Sequence, residues 1–311
     1  MCFHTPVLVN EAMGLLITNP SGTYVDATAG GGGHSEAILR RLDNKGRLIG
    51  IDRDREAIAF CREKLQSDES RARFVHGDFK TMDRVLSELS IKRIDGFFLD
   101  LGVSSHQLER PERGFSYLTD GPLDMRMDNA STLTARDVIN GYKEADLTDI
   151  FIRYGEERHA RQIARKIVER RKKGAIETTE ELVEVVARTV PYRYRIKTLS
   201  RVWQALRFEV NSELDQLRVG LEKAYAFLKI KGRIVVISYE SLMDRMVKRF
   251  FRGQQPDFFR REEPISRPGY SFHVLTRRII RPTEEEIKRN PRSRSARLRA
   301  AEKVDKSTTD E

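Results

Sequence analysis

The sequence predicts an α/β protein in which a doubly wound parallel sheet carries an inserted helical domain. Four strand-like runs alternate with amphipathic, helix-like stretches within the first 100 residues, a pattern typical of parallel sheets. The next convincing strand, at 232–238, begins 132 positions after Asp100, whereas an ordinary strand–helix–strand crossover takes roughly 30 residues. About 100 residues are therefore surplus to the crossover, and they form the predicted insertion.

The predicted elements follow one another in a regular order. The early strands are the apolar runs at 23–27, 47–51, 72–76 and 94–99. Helix-like sequence then covers 134–138, 145–154, 159–171 and 179–188. Thr178 offers a hydroxyl cap to the last of these helices, and Glu180 and Glu181 place carboxylates in its first turn. Strands at 232–238 and 272–276 complete the sheet.

These elements divide the chain into three segments. Residues 1–110 are the first part of the sheet core, 111–205 the inserted helical, substrate-recognition domain, and 206–311 the second part of the core with a basic C-terminal tail. From Pro282 the tail is rich in Pro, Arg and Ser, and it is expected to be solvated and disordered over its last eight or so residues.

Charge is unevenly distributed along the chain. The 311 residues include 57 Lys and Arg against 47 Asp and Glu, a net charge of +10, which indicates an anionic partner such as nucleic acid or an anionic membrane surface. Residues 151–210 and 241–311 each carry +7, so the remainder carries −4. The positive field therefore lies on the insertion and on the C-terminal part.

Several protein classes are excluded by composition. Cys2 and Cys61 are too few for a disulfide framework or a Cys-rich zinc site, and the few histidines lack ligand spacing. The N-terminus does not have the pattern of a signal peptide, and no apolar run reaches the ~18–20 residues of a membrane span. A reduced, cytoplasmic protein that needs no metal is expected.

A glycine-rich turn follows the first predicted strand. Asp26 ends that strand, the glycines at 30–33 follow, and His34 and Ser35 come next. Glycines at a strand-to-helix turn let the backbone approach a ligand. A dinucleotide fold has glycine where Ser35 stands, and the carboxylate of Asp26 is a poor neighbour for a pyrophosphate. The turn therefore favours a cationic nucleoside ligand such as S-adenosylmethionine over NAD.

Further candidate ligand residues end the other early strands. Asp52 follows the second strand, where a carboxylate can accept hydrogen bonds from both ribose hydroxyls of an adenosine. Phe79 follows the third strand, where adenine would lie, and Asp100 follows the fourth. Because the carboxyl ends of parallel strands meet at one edge of a sheet, these residues predict a single nucleoside-cofactor site. An NAD-linked oxidoreductase is the alternative enzyme.

Ten motifs spread over the chain resemble those of the MraW/RsmH family of bacterial methyltransferases, which methylate N4 of a cytidine in small-subunit (16S) ribosomal RNA. They are HTPVLVNE (4–11), DATAGGGGHS (26–35), DRD (52–54), LDLGVSS (99–105, with Gln107 and Leu108), RGFS (113–116), PLDMRM (122–127), YGEER (154–158), QALR (204–207), VNSEL (210–214) and NPRSRSA (290–296). The resemblance runs from about residue 4 to residue 303. It implies a Rossmann-like S-adenosylmethionine-dependent methyltransferase fold.

The resemblance also assigns residues to the cofactor. The family's cofactor contacts fall on Gly32, Gly33, His34, Asp52, Phe79, Asp100 and Gln107; Gln107 comes from the resemblance alone. The chain departs from the family at His106, where proline is usual, and at 238–244, which reads SYESLMD where the family usually reads SFHSLED. The departures at Glu240 and Met243 leave a second hypothesis open, a non-catalytic RNA-binding or ribosome assembly factor.

Transfer to a cytosine amine needs hydrogen-bond acceptors, because the amine lone pair is conjugated with the ring. Asp100, Ser104 and Ser105 are the candidate acceptors, and the alternative for the serines is that they shape a turn and bind backbone. Correct positioning of the two reactants would carry much of the rate. The sulfonium supplies its own leaving group, so no metal is required.

A basic segment in the insertion is predicted to bind RNA. Residues 188–207 read RTVPYRYRIKTLSRVWQALR, with six basic and no acidic residues. Arg193, Arg195 and Arg201 are expected to contact phosphates, and interleaved aromatics can stack on bases; Trp203 is instead expected in the core. A second basic patch comprises Arg292, Arg294, Arg297 and Arg299. The expected partner is ribosomal RNA or a small ribosomal subunit, without membrane, and a homodimer is left open.

Overall fold

Seven strands form one sheet in the part of the chain that the structure describes. This computed structural model describes residues 5–254 and 269–305. The strands are β1 (Thr23–Asp26), β2 (Arg47–Asp52), β3 (Ala72–His76), β4 (Ile94–Asp100), β5 (Leu228–Ser238), β6 (Phe272–Val274) and β7 (Arg297–Lys303). The expectations for Cys2, for His4 and for residues 306–311 lie outside the described residues.

The strand order reverses beside β1. The order across the sheet is β3-β2-β1-β4-β5-β7-β6, and β1 to β5 are parallel. Ligands of open α/β sheets bind at such a switch point, outside the carboxyl ends of the strands. A dinucleotide-binding sheet runs 3-2-1-4-5-6, whereas β7 here lies between β5 and β6 and is antiparallel to both.

Helices connect the strands and form the insertion. They are α1 (Val9–Leu16), α2 (Gly33–Leu39), α3 (Arg55–Lys64), α4 (Met82–Glu88), α5 (Ser105–Glu109), α6 (Ala135–Gly141), α7 (Glu144–Arg153), α8 (Ala160–Arg171), α9 (Thr179–Thr189), α10 (Arg195–Asn211), α11 (Glu213–Phe227), α12 (Ser241–Phe251) and α13 (Glu284–Arg289).

The central strands are apolar up to their carboxyl ends. β4 is buried from Ile94 to Leu99, as expected for a strand covered on both faces. Its one interior carboxylate, Asp95, accepts hydrogen bonds from Thr23 N at 2.9 Å and from Lys229 Nζ at 2.8 Å. The remaining carboxylate of β4, Asp100, ends the strand at the carboxyl edge of the sheet.

The chain forms two units. The sheet unit comprises the residues up to Gly102 and from Asp215 onward, and the helical unit comprises Val103–Leu214. The helical unit begins eight residues earlier and ends nine residues later than the predicted insertion at 111–205. The longer span has a physical reason, because Val103 and Val210 at its two ends pack into the core of the helical unit.

Two predictions about the helical unit are confirmed. The Thr178 hydroxyl accepts a hydrogen bond from Glu181 N and caps α9. Trp203 is 4% exposed and belongs to the core of the unit, where its ring meets that of Tyr117 edge-on at a centroid distance of 5.7 Å. α10 therefore presents its middle to the core rather than to a partner.

The C-terminal tail differs from the expectation of a solvated basic segment. Its described residues include α13 and β7, and β7 pairs with β5 from Arg233–Glu302 to Ser238–Arg297. The alternation of Arg with Leu298 and Ala300, both buried, is the period of a half-buried strand. Arg299, expected on a basic patch, instead forms an ion pair with Asp244 at 2.6 Å.

Candidate active site

The turn between β1 and α2 depends on its glycines for two reasons. Gly30 and Gly32 have φ angles of 48° and 71°, which lie in the left-handed region that glycine tolerates best. Gly33 has a different constraint, because a Cβ there would lie 2.9 Å from Cγ of Pro6. The Sγ of Cys61 lies 3.2 Å from the carbonyl oxygen of Gly30 beneath the turn. Side chains of Pro6 and Cys61 thus pack directly against the backbone of the turn.

Asp26 holds this turn instead of facing a ligand. Its side chain is fully buried, and it accepts hydrogen bonds from Ser35 Oγ at 2.7 Å and from Thr28 N at 3.1 Å. Burial raises the pKa of Asp26, while the bond from Ser35 and the nearby His34 act in the opposite direction. Ser35, where a dinucleotide fold has glycine, therefore ties α2 to β1. The expectation that Asp26 neighbours a cationic ligand is not supported by this geometry.

Asp52 is positioned by the backbone on either side of it. Its carboxylate accepts hydrogen bonds from Gly30 N at 2.8 Å and from Asp54 N at 2.9 Å. Burial, with the charges of Asp54 and Asp26, raises the pKa of Asp52 to about 6, against the effect of those two hydrogen bonds. The glycine turn and the end of β2 are thereby joined through one carboxylate.

Phe79 stands at the end of β3. It begins the short 3₁₀ turn Phe79–Thr81, which Asp78 caps through its side chain. The preceding Gly77 donates its N–H to the carbonyl of Asp52 at 2.9 Å. A Cβ on Gly220 would lie 2.6 Å from the Cβ of Phe79, so α11 packs directly against this residue and fixes it beside the Asp52 segment.

Asp100 and His34 meet across the edge of the sheet. Asp100 Oδ2 lies 3.6 Å from His34 Nδ1, and the backbone N–H of Asp100 donates to Thr28 Oγ1 at 2.7 Å. His34 Nε2 lies 2.9 Å from the carbonyl oxygen of Val7. A carbonyl can only accept, so Nε2 carries a proton. Nδ1 is therefore the ring nitrogen of His34 that faces Asp100.

The other predicted site residues belong to the helical unit. Ser104 caps α5, since its Oγ accepts a hydrogen bond from Gln107 N at 3.2 Å. Gln107 Oε1 in turn accepts one from Ser104 N at 3.1 Å, which completes a capping box. Ser105 is the first residue of α5. These contacts agree with the alternative that Ser104 shapes a turn, and they give the same structural role to Gln107.

The described residues contain neither a membrane-spanning helix nor a metal site. None of the helices within 5–254 and 269–305 is long and apolar enough to cross a membrane. In the same ranges, no group of three or more His, Cys, Asp or Glu side chains is arranged to hold a metal ion.

Comparison with known proteins assigns the chain to a family. A sequence profile described as the MraW methylase family matches residues 1–304. The chain belongs to the MraW methylase family. Its fold is accordingly a Rossmann-like methyltransferase fold, as predicted, and the NAD-linked oxidoreductase considered earlier is excluded.

Several named relatives match nearly the whole of this chain. Proteins named ribosomal RNA small subunit methyltransferase H are 48% identical in Caldicellulosiruptor bescii and 45% in Clostridioides difficile, each alignment covering 97% of this chain and 99% of the relative. The protein of that name in Chlorobaculum parvum is 46% identical, over 97% of this chain and 98% of the relative.

The structure of this MraW-family chain also shows contacts that sequence reasoning missed. Val7 supplies the carbonyl to His34, and Pro6 covers Gly33; both lie in the HTPVLVNE motif, which was the available signal. Tyr239, in the divergent motif at 238–244, packs its ring against Gly102, where an added Cβ would lie 3.2 Å from Tyr239 Cδ2. Sequence reasoning weighed Glu240 and Met243 there but not Tyr239.

Proposed function

We propose that the protein transfers a methyl group from S-adenosylmethionine to N4 of a cytidine in small-subunit (16S) ribosomal RNA, in the cytoplasm. The carrying observation is that Asp52, Asp100 and His34 converge with the glycine turn at the switch point of the sheet. The names of the relatives support ribosomal RNA of the small subunit as the substrate.

The residues of the sheet unit suit an adenosine cofactor. Gly32 and Gly33 are proposed to contact the cofactor through their backbone, and the Asp52 carboxylate, held by Gly30 N and Asp54 N, can accept hydrogen bonds from ribose hydroxyls. Phe79 can cover the adenine, and His34 borders the same edge. In the helical unit, Gln107 is proposed to contact the cofactor on family resemblance, in addition to its capping role.

Asp100 is proposed to act on the substrate amine. When bound, S-adenosylmethionine supplies an activated methyl group on its sulfonium. A carboxylate oxygen of Asp100 can accept a hydrogen bond from an N4–H of cytosine, which weakens conjugation of the nitrogen lone pair, and can take up the proton released after transfer. Ser104 and Ser105 are further candidate acceptors, and Asp100 also borders the cofactor.

Asp52→Ala is expected to weaken S-adenosylmethionine binding by ~10–150-fold, because hydrogen bonds to a charged group contribute about 1.5–3 kcal/mol. Isothermal titration calorimetry on the purified protein measures this effect. Asp43→Ala is the matched control, since Asp43 is an exposed carboxylate in the same unit. Unchanged affinity in folded Asp52→Ala protein would remove Asp52 from the cofactor site.

The affinity for S-adenosylmethionine should also depend on pH through Asp52. Because burial raises the pKa of Asp52 to about 6, the carboxylate is largely protonated below that pH and accepts ribose hydrogen bonds less well. The dissociation constant is expected to rise as the pH falls below about 6, and Asp52→Asn protein should lack this component. A pH dependence equal in wild type and Asp52→Asn would contradict the assignment.

The exposed part of the basic segment is the proposed RNA surface. Arg188, Arg201 and Arg207 have carboxylate partners in Glu184, Glu157 and Glu213. Among the described residues, Arg193, Arg195 and Lys197 have no acidic side chain within ion-pairing distance. These three cations can therefore contact phosphates, whereas Arg201 is bound to the buried Glu157 and fits the earlier expectation poorly.

Aromatic rings accompany these cations on the surface. Tyr192 is 83% exposed, and the Arg195 guanidinium lies 5.2 Å from its ring centroid. The Arg193 guanidinium lies 4.7 Å from the centroid of the Tyr194 ring. An exposed ring beside a cation can stack on an unpaired base while the cation neutralises a phosphate.

Replacing Arg193, Arg195 and Lys197 together by alanine is expected to weaken RNA binding and to flatten its salt dependence. Each lost phosphate contact should lower the slope of log affinity against log salt by roughly 0.7–0.9. Filter binding or fluorescence anisotropy with a ribosomal RNA fragment at several salt concentrations measures this slope. Cofactor affinity should stay near wild type.

A matched triple variant on another basic surface tests the location. Arg161, Arg165 and Lys172 lie along or just after α8 and are exposed; their replacement by alanine removes the same charge. A slope that falls equally in both variants would indicate non-specific attraction to net charge. An unchanged slope in the first variant would place the RNA surface elsewhere, with Arg292 and Arg294 as the next candidates.

One pair of measurements separates enzyme from assembly factor. Calorimetric titration with S-adenosylmethionine should give saturable binding, and mass mapping of small-subunit ribosomal RNA nucleosides should show loss of N4-methylcytidine in cells that lack the protein. RNA binding without cofactor binding, with an unchanged methylation pattern, would instead support a non-catalytic RNA-binding or ribosome assembly factor.

A further inference from the structure

A C-terminal helix contacts the N-terminal segment that packs on the glycine turn. Residues 5–8 precede α1 and are called the N-terminal strap below. Glu286, in the first turn of α13, accepts a hydrogen bond through Oε1 from Leu8 N at 2.7 Å. Asn290 Nδ2, just after α13, donates to the carbonyl oxygen of Thr5 at 3.4 Å. Two side chains from the C-terminal part of the chain therefore hold the two ends of the strap.

Leu8 needs such an anchor because of its backbone conformation. Its φ angle of 53° lies in the left-handed region, which a residue other than glycine keeps only where the surrounding structure holds it. Leu8 is also the N-cap residue of α1, and its apolar side chain cannot cap the helix. The Glu286 carboxylate instead accepts a backbone N–H at this end and places negative charge at the positive end of the helix dipole. A charged acceptor makes this bond a strong one.

The strap reaches the candidate site through two contacts. The carbonyl oxygen of Val7 lies 2.9 Å from His34 Nε2, and a Cβ on Gly33 would lie 2.9 Å from Cγ of Pro6. The His34 side chain is itself buried. Contacts thus run from Glu286 through the strap to His34 and the glycine turn, all within the sheet unit.

We infer that Glu286 is a positioning residue for the proposed cofactor site: its carboxylate holds the strap, and the strap holds His34 and the backbone at Gly33. This inference rests on the proposed function, in which S-adenosylmethionine binds at these two residues. The resemblance does not supply it, because none of the ten motifs contains Glu286. Glu286 acts through Leu8 and Val7 and does not touch the cofactor, so its loss should loosen the site without removing a ligand contact.

Three full-length variants test the inference. Glu286→Ala removes the acceptor, whereas Glu286→Gln keeps a side-chain oxygen at the same distance from the backbone and should retain the bond from Leu8 N. Glu285→Ala is the matched control, because Glu285 is exposed in the same first turn of α13 and its replacement changes the net charge equally. A general effect of charge on α13 would appear in both alanine variants.

Solvent exchange of the His34 ring N–H reports on the strap. This proton faces the Val7 carbonyl oxygen and should exchange only when the strap lifts. Losing one hydrogen bond to a charged group should raise the open population, and with it the exchange rate, by about tenfold in Glu286→Ala. The rate should stay close to wild type in Glu286→Gln and Glu285→Ala. Nuclear magnetic resonance measures the rate, and His34→Gln protein assigns the signal.

His76 provides an internal reference in the same spectra. Its Nε2 lies 3.0 Å from the carbonyl oxygen of Arg53, a contact that does not involve the strap. The ring N–H of His76 should therefore exchange equally in all the variants. A rate that rises equally for His34 and His76 in Glu286→Ala would indicate general loosening of the protein and would overturn the inference.

Affinity for S-adenosylmethionine is the readout that a purely structural contact would leave unchanged. A site that binds only with the strap in place loses apparent affinity in proportion to the open population. Because the left-handed conformation of Leu8 favours release once its anchor is lost, the dissociation constant should rise by about three- to tenfold in Glu286→Ala. It should stay near wild type in Glu286→Gln and Glu285→Ala. Isothermal titration calorimetry measures it at a temperature where all the variants are folded.

The outcomes separate this inference from the proposed function. Saturable binding with an unchanged dissociation constant in Glu286→Ala would overturn the inference and leave the proposed function intact. Glu286→Gln protein as impaired as Glu286→Ala would also overturn it, since an oxygen acceptor would then not suffice. Absence of cofactor binding in wild type would refute the proposed function, while faster His34 exchange confined to Glu286→Ala would still support the link from Glu286 to His34.

Discussion

Replacing Asp100 by asparagine is expected to lower kcat for methyl transfer by ~10²–10⁴-fold, the range typical of a lost acid–base group. Asparagine keeps the size of the side chain but cannot carry the charge or take up the amine proton. Its neighbour His34 would then face an amide in place of a carboxylate. Single-turnover assays on small ribosomal subunits measure the transfer step.

Binding measurements show whether the loss belongs to chemistry. S-Adenosylmethionine affinity should change much less than kcat in Asp100→Asn, because the ribose is proposed to bind Asp52. Asp83→Asn is a suitable control, since Asp83 lies on α4 in the same unit and pairs with Lys223 at 2.6 Å. Asp100→Asn protein that keeps near-normal kcat would remove Asp100 from the catalytic role.

Truncating Trp203 to alanine is expected to destabilise the helical unit by ~3–5 kcal/mol, the usual cost of removing a large buried aromatic side chain. Trp203 is 4% exposed and packs against Tyr117, so its loss leaves a cavity that α10 cannot fill without moving. Chemical denaturation followed by circular dichroism measures the change in free energy of unfolding.

Trp203→Phe separates packing from chemistry at the same position. The indole Nε1 is buried and has no hydrogen-bond partner among the residues that the structure describes, so phenylalanine removes an unsatisfied donor while it keeps much of the volume. Trp203→Phe should therefore cost well under half of what Trp203→Ala costs. An unfolding free energy that is unchanged in Trp203→Ala would place the ring outside the core.

Strand ends could be predicted from the sequence because two physical requirements coincide there. A strand buried on both faces must be apolar along its length, and a ligand site needs polar groups where the strand stops. Asp52 and Asp100 each directly follow an apolar run, so the sequence pattern alone indicates that they end a strand at a ligand site. The glycine turn was recognisable for a similar reason, since the left-handed φ angles at Gly30 and Gly32 exclude most other residues.

Ion pairs and hydrogen bonds between residues that are far apart in the sequence could not be predicted in this way. Arg201 and Arg207 stand in an acid-free run, yet Glu157 and Glu213 lie against them in the folded protein. Strand β7 was missed because its arginines drew attention to charge and away from their alternation with the buried Leu298 and Ala300. The hydrogen bond from Ser35 to Asp26 could not be read either, because a sequence shows which carboxylate ends a strand but not which hydroxyl donates to it.

The position of β7 between β5 and β6 has a consequence for how the protein is made. β7 ends at Lys303, so every residue up to that position must be synthesised before the sheet can close. Until then the edge of β5 is an unpaired row of backbone donors and acceptors, which is a template for pairing with other chains. Contacts of such long sequence separation also form slowly. A premature stop shortly before this strand would therefore release a chain with an open sheet edge, prone to aggregate in the cell and to be cleared by chaperones and proteases.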